Sequence, residues 1–250
     1  MQPIKFESID IGEHVRINDT LCPVVFSSPD TLYDTFKSGI INIANFWWGE
    51  NRPLVNWQKA SDVVLYGDLA GYVYNRFSPV YVGLIYNDLP EPLQANLSEI
   101  NDILEATEIP YTFINRPVHC HFLADVPQGI PCFSIIHQRW LNPPVKRQFA
   151  FTMPEFCMVF PRYQQIIREN VESHSRHPNG EFTIEGCHQL EAYLKYLRSE
   201  ARKYWLDSDE HEYNFDYLLY RTFCELGGER YFKKFLIESY NYNINELEQC

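Results

Sequence analysis

The chain has 250 residues, of which 45% are hydrophobic and 16% aromatic, and this composition excludes a disordered protein. Its formal net charge of −12 argues against a broad nucleic-acid-binding surface, because phosphate contact needs clustered lysine and arginine. A local basic patch inside an acidic whole remains compatible with these numbers.

Seven cysteines are scattered along the sequence without a Cys-x-x-Cys pair. An odd count at irregular spacing predicts free thiols in a reducing cytosol rather than a disulfide framework. The sequence shows neither an apolar N-terminal run typical of a signal peptide nor an 18-residue apolar stretch. We therefore expect a soluble cytoplasmic protein.

The first elements in chain order are short. Residues 15–18 and 23–26 predict a small β element, and residues 28–30, which read Ser-Pro-Asp, predict the start of a helix. That helix is expected to end near Gly49. Apolar residues at helical spacing indicate its core-facing stripe: Leu32, Phe36, Ile40, Ile43 and Trp47.

Two nearly continuous apolar runs, residues 62–66 and 80–86, predict central strands that are covered on both faces. The connector between them begins with Gly67 and Asp68. A helix is expected at 92–106, strands at 109–113 and 118–123, and a strand or ordered loop at 132–140.

The character of the sequence changes after residue 150. Helical periodicity predicts helices at 161–172, 184–205, 215–226 and 230–240. We therefore predict an α/β domain over residues 1–150, with a mixed sheet of about five strands, and a helical domain over 151–250.

The order strand, glycine turn, strand, helix, strand resembles the core of nucleotidyltransferases of the DNA polymerase β type. Members of that superfamily place Gly-Ser after the first strand, Ser-Asp-x-Asp on the second and a further carboxylate on a later strand. Here the corresponding residues are Gly67 and Asp68, then residues 78–81, which read Ser-Pro-Val-Tyr, and His119.

The resemblance covers roughly residues 60–145. In spacing and hydrophobic pattern this segment most resembles a phage-encoded branch of the superfamily. That branch carries a connector rich in asparagine and tyrosine, a Pro-Val-Glu-Leu-Tyr segment, and a later segment with Tyr-Ser, Trp and Pro. The matching segments here are residues 68–78, 117–121, 132–135 and 140–143.

The resemblance implies that carboxylates on adjacent strands hold two Mg²⁺ ions. In this sequence Pro79, Tyr81 and His119 stand at those three positions. The implied function is a catalytically inactive nucleotidyltransferase-like protein, a pseudoenzyme that acts as a binding or structural module, with no catalytic residue and no cofactor expected.

Two alternatives stay open. An active nucleotidyltransferase could use Mg²⁺ on relocated carboxylates, with Asp62, Asp68 and Asp88 as candidates. A metal-binding regulatory protein could use His119 and His121, which point to one face of a strand. Zinc would need a further ligand, for which the candidates are Asp125, Cys132 and His137.

The aromatic content exceeds what a core of this size usually needs. Exposed aromatic residues with few lysines are typical of protein–protein interfaces. We therefore expect a protein partner. The acidic net charge disfavours a nucleic-acid partner, and the lack of an 18-residue apolar stretch leads us to expect no membrane contact. If the chain is phage-encoded, its compartment would be the host cytoplasm.

Overall fold

The computed structural model describes residues 11–55, 60–86, 111–175 and 184–228, with the isolated positions 94, 96, 97, 99–101, 104, 232 and 236. The chain divides into two compact units. One is Arg16–Gln148, and the other joins Met1–Val15 to Phe149–Cys250. We call them the α/β unit and the helical unit.

The α/β unit contains a two-stranded hairpin, a long helix and a larger sheet. Its elements are β1 (Phe26–Ser28), β2 (Thr31–Leu32), α1 (Asp34–Val55), β3 (Asp62–Tyr66), β4 (Val80–Ile85), β5 (Tyr111–Phe113), β6 (Arg116–Leu123), β7 (Cys132–Ser134) and β8 (Arg139–Asn142). The described residues between 94 and 104 are helical. The helix predicted at 92–106 therefore lies partly outside the described residues.

The larger sheet has six strands in the order β5-β6-β4-β3-β7-β8. β4 and β6 run parallel, and the other neighbouring pairs are antiparallel. The prediction of a mixed sheet followed by C-terminal helices is confirmed. β3 and β4 lie at the centre, as their continuous apolar sequences indicated, because both faces of a central strand are covered.

Helix α1 packs on one face of this sheet. Its buried residues Phe36, Ile40, Ala44 and Trp47 belong to the same core as Leu65, Val82, Phe122 and Phe133 of the strands. The rings of Trp47 and Phe122 are 4.5 Å apart. The predicted stripe thus faces the core, although Ile43 is only half-buried and Leu32 belongs to β2 rather than to the helix.

The beginning of this unit differs from prediction. No strand forms at 15–18 or 23–25, and residues 28–30 do not begin a helix. They turn the hairpin between β1 and β2, because proline and aspartate suit a tight turn as well as a helix start. The helix begins at Asp34 and passes Gly49 to end at Val55. The segment 132–140, predicted as a strand or an ordered loop, contains β7 and the start of β8, which form a hairpin.

The helical unit contains α2 (Met153–Ser175), α3 (Ile184–Asp207) and α4 (Phe215–Glu225), which pack on one another. The helices predicted at 184–205 and 215–226 are confirmed. Helix α2 begins eight residues earlier than predicted, because Thr152 and Glu155 form a capping box. The helix predicted at 230–240 lies largely outside the described residues. None of the described helices is both long and apolar enough to cross a membrane.

Candidate functional site

The strand register brings Tyr66, Tyr81 and His119 side by side. Tyr66 is paired with Tyr81 between β3 and β4, and Tyr81 is paired with His119 between β4 and β6. Gly83 of β4 is paired with His121 in the same register. Residues that are directly paired share a face of the sheet, so these side chains lie on the face opposite α1.

Four rings form a compact group on that face, which we call the Tyr–His cluster: Tyr66, Tyr81, His119 and His121. The ring centre of Tyr81 is 5.8 Å from Tyr66, 5.6 Å from His119 and 6.0 Å from His121. The Tyr66 hydroxyl is hydrogen-bonded to His121 Nδ1 at 2.5 Å. Tyr66 is buried and the other three are half-buried, so the cluster presents ring surface at the edge of solvent.

Ser78, two residues before β4, takes part in a hydrogen-bonded turn with Asn75. The Asn75 side-chain oxygen accepts hydrogen bonds from the backbone N–H groups of Phe77 and Ser78, at 2.7 and 2.9 Å. The Ser78 hydroxyl accepts one from the backbone N–H of Asn75 at 2.9 Å. Ser78 is fully buried, so its hydroxyl holds the connector rather than facing a ligand.

Gly67 and Asp68 leave the same end of the central strands, next to the paired residues Tyr66 and Tyr81, through a tight turn. Gly67 has φ +77°, a left-handed value that favours glycine, and a short 3-10 helix, Asp68–Ala70, follows it. The Asp68 side chain is fully buried. The structure therefore encloses this carboxylate within the unit.

The carboxylates proposed as a relocated ligand set are widely separated where the structure describes them. Asp62 begins β3 and Asp68 follows its end, so the strand alone separates them by roughly 13 Å. The Asp62 carboxylate accepts hydrogen bonds from the Ser134 hydroxyl at 2.9 Å and from the Val63 N–H at 2.7 Å. Asp88 lies outside the described residues.

The candidate zinc ligands are engaged in other ways. His121 Nδ1 is bonded to Tyr66, and Asp125 accepts from the backbone N–H of Val126. Burial, with a smaller contribution from the charge of Asp62, raises the pKa of the Cys132 thiol to about 12, whereas a metal ligand must be a thiolate. Among the residues that the structure describes, no three His, Cys, Asp or Glu side chains are arranged to hold a metal.

The Tyr–His cluster does not fit the Mg²⁺ ions that the resemblance implies. Mg²⁺ is held mainly by carboxylate oxygens at near-ideal octahedral geometry. Here the paired positions 81 and 119 carry a phenol and an imidazole, and Pro79 has no side-chain atom that could bind a metal. The residues present suit ring stacking and hydrogen bonding instead.

Sequence reasoning singled out Tyr81, His119 and His121 but passed over Tyr66. The sequence did contain a signal for Tyr66, which is the last residue before the turn at Gly67. If β4 runs antiparallel to β3 after that turn, Tyr66 is paired with Tyr81. Comparison with family models, with curated proteins and with solved structures found no match to this chain.

Proposed function

We propose that the chain is a nucleotidyltransferase-like binding or structural module that does not catalyse metal-dependent nucleotidyl transfer. The pairing of β3 with β4 and of β4 with β6 in one mixed sheet supports this framework, since the resemblance implies that these three strands are neighbours. One face of that sheet is covered by α1 and the other carries the Tyr–His cluster, and both features are compatible with this framework.

The observation that carries the proposal is the Tyr–His cluster itself. Two of its rings, those of Tyr81 and His119, stand at positions where the resemblance implies metal-binding acids. A phenol and an imidazole would not neutralise a triphosphate as two bound Mg²⁺ ions do. The position is suited to contact with a partner, because Tyr and His offer both ring surface and hydrogen-bonding atoms.

A protein partner is supported by exposed apolar residues in the helical unit. On α2, Met158, Val159 and Ile166 are 74%, 40% and 48% exposed. Isolated exposed apolar residues are ordinary, but several on one helix are typical of contact surfaces. The described cysteines are free thiols, which supports a reducing compartment such as the cytoplasm.

Calorimetric titration with ATP, with and without Mg²⁺, tests the missing metal site, and incubation with radiolabelled nucleotides tests for transfer. We expect no Mg²⁺-dependent heat and no label transfer. Tight Mg²⁺-dependent binding, or transfer by the wild-type chain, would overturn the proposal. If transfer occurs and Asp68→Ala abolishes it, the reading with relocated carboxylates is the correct one.

A variant with acids at the three positions tests the framework directly. In Pro79→Asp/Tyr81→Asp/His119→Glu, carboxylates return to adjacent strands, and we expect Mg²⁺-dependent ATP binding that the wild type lacks. The matched control is Thr112→Asp/Arg139→Glu, which adds acids at exposed strand positions elsewhere on the sheet. Equal responses of the two folded variants would argue against the framework.

A further inference from the structure

Arg116 carries a charge that the protein buries without a carboxylate. The residue is 9% exposed, and its Nη1 donates hydrogen bonds to the backbone carbonyls of Asn75 and Ser78, both at 2.7 Å. In the described part of the chain it forms no ion pair. Since β6 alternates its side chains, Arg116 lies on the α1 face with Val118, opposite His119.

The other donors of this guanidinium remain available. Its Nε and Nη2 have no acceptor among the described residues, yet they are not among the fully enclosed polar atoms without a partner. They therefore keep contact with solvent. A buried cation that is bonded only to neutral carbonyls is costly, and an anion that reached it would relieve that cost.

A second guanidinium is fixed to the same connector. Arg16 donates from Nε and Nη2 to the Asn18 side-chain oxygen, at 2.9 and 2.5 Å, and Asn18 Nδ2 donates to the backbone carbonyl of Tyr74 at 2.6 Å. Arg16 is exposed and has no carboxylate partner in the described residues. The nearby Asp19 is bonded to Lys146 Nζ at 2.6 Å, so its charge is already balanced.

The Tyr74 hydroxyl lies within the influence of both guanidiniums. Burial raises the pKa of this hydroxyl, and a hydrogen bond with Thr20 and the charges of Arg16 and Arg116 act in the opposite direction. The hydroxyl also lies 3.5 Å from the backbone carbonyl of Leu21. Two guanidinium groups and one hydroxyl thus lie beside the same connector, and neither guanidinium is paired with an acid among the described residues.

We propose that Arg16, Arg116 and Tyr74 form a site for an oxyanion, such as a phosphate group. Guanidinium groups bind such anions by charge-assisted, often bidentate hydrogen bonds. Within this site, Arg116 lies on the sheet face opposite the Tyr–His cluster. It therefore does not depend on the function proposed above, and it is a local basic site in a protein of net charge −12.

Titration of the full chain with inorganic phosphate at constant ionic strength tests this site. The readouts are calorimetry and the arginine Nε–H signals in ¹H–¹⁵N spectra, and we expect the Arg116 signal to shift. Arg16→Gln should weaken phosphate binding about 10-fold, since it removes charge-assisted hydrogen bonds. The control Arg139→Gln changes an exposed arginine on β8 and should bind as the wild type does.

Further probes separate the sources of the phosphate group. Equal affinity for inorganic phosphate and adenosine monophosphate would support a site for the free oxyanion. Tighter binding of the nucleotide, with no response to adenosine, would support a phosphate carried on a larger ligand. If phosphate leaves the Arg116 signal unmoved, or if Arg16→Gln and Arg139→Gln bind it as the wild type does, the proposal is wrong. Neither readout requires an Arg116 variant to fold.

Discussion

Tyr66 and His121 are hydrogen-bonded at 2.5 Å although they lie on strands that are not neighbours. Strand β4 runs between them, and it presents Gly83 at the register position of His121. This hydroxyl–imidazole contact links β3 to β6 across the central strand on the face opposite α1. The Tyr–His cluster thus depends on the packing around Gly83, over which Tyr66 and His121 meet.

Gly83→Ala should destabilise the α/β unit. A Cβ atom at this position would lie 2.3 Å from Leu123 Cδ1 and 2.9 Å from Val64 Cγ2, and Val64 is fully buried. Overpacking of this kind costs about 1–3 kcal/mol, which thermal unfolding would detect. Gly49→Ala is the control, because nothing lies within 4 Å of its added Cβ in helix α1. A thermal midpoint for Gly83→Ala no lower than that of Gly49→Ala would contradict the prediction.

Tyr66→Phe should cost about 1 kcal/mol, because it removes one hydrogen bond from a buried hydroxyl and leaves the ring in place. Urea unfolding measures the loss, and the His121 ring signals should shift. Tyr33→Phe removes a hydroxyl from an exposed residue and should leave stability unchanged. Equal stabilities of the two variants would show that the Tyr66–His121 bond adds nothing.

Ser78→Ala should loosen the connector that precedes β4. The variant removes the acceptor of the Asn75 backbone N–H, and both residues are buried. A buried donor without a partner costs about 1–3 kcal/mol, which chemical denaturation would show. Ser27→Ala, at an exposed serine whose hydroxyl donates to the Thr31 carbonyl, is the control and should change little. A loss no larger than that of the control would mean that water replaces the lost acceptor.

Glu225→Gln should strongly destabilise the helical unit. The Glu225 carboxylate lies 2.8 Å from His14 Nδ1 and 3.5 Å from Arg221 Nε, and the three side chains are at least nine-tenths buried. Removal of one charge from a buried group of this kind costs roughly 3–5 kcal/mol. Urea unfolding followed by helical circular dichroism measures that cost.

The control for Glu225 is the exposed pair of His188 and Glu191, which are 3.7 Å apart. Glu191→Gln should change stability by less than about 1 kcal/mol, because solvent screens exposed charges. Comparable losses in Glu191→Gln and Glu225→Gln would show that the buried group contributes no more than a surface contact.

Cys132→Ala should reduce the loss of stability at alkaline pH. Burial raises the pKa of this thiol from 9.0 to about 12, so the folded state favours the protonated form. That stabilisation is complete below pH 9 and disappears as the pH rises toward 12. Thermal midpoints measured between pH 8 and 11 should therefore fall less steeply for Cys132→Ala than for the wild type.

The exposed Cys157 supplies the control for this pH dependence. Tyr86 also has a pKa of about 12 because it is buried, so the difference between variants isolates the thiol. Cys157→Ala should follow the wild-type curve. A Cys132→Ala curve parallel to both would show that the thiol does not contribute.

The amino-acid sequence alone determined the elements whose signals are local. Continuous apolar runs located β3 and β4, and helical periodicity located α3 and α4. The sequence also contains the capping box of Thr152 and Glu155, which precedes the helix start predicted at 161 and marks the true one. At residues 28–30 the local signal fitted both a turn and a helix start, and only the pairing of Phe26 with Leu32 decided between them.

Only the tertiary structure decided which distant groups meet. Tyr66 contacts His121, Glu225 contacts His14 from 211 residues away, and Arg116 contacts the carbonyls of the connector. These contacts depend on strand register and helix packing, and a shift of one residue would turn each strand side chain to the other face. The periodicity of a sequence indicates which residues are buried, whereas strand register and helix packing decide which residues they contact. The proposed sites consist of contacts between residues that are distant in sequence, so the sequence alone did not determine them.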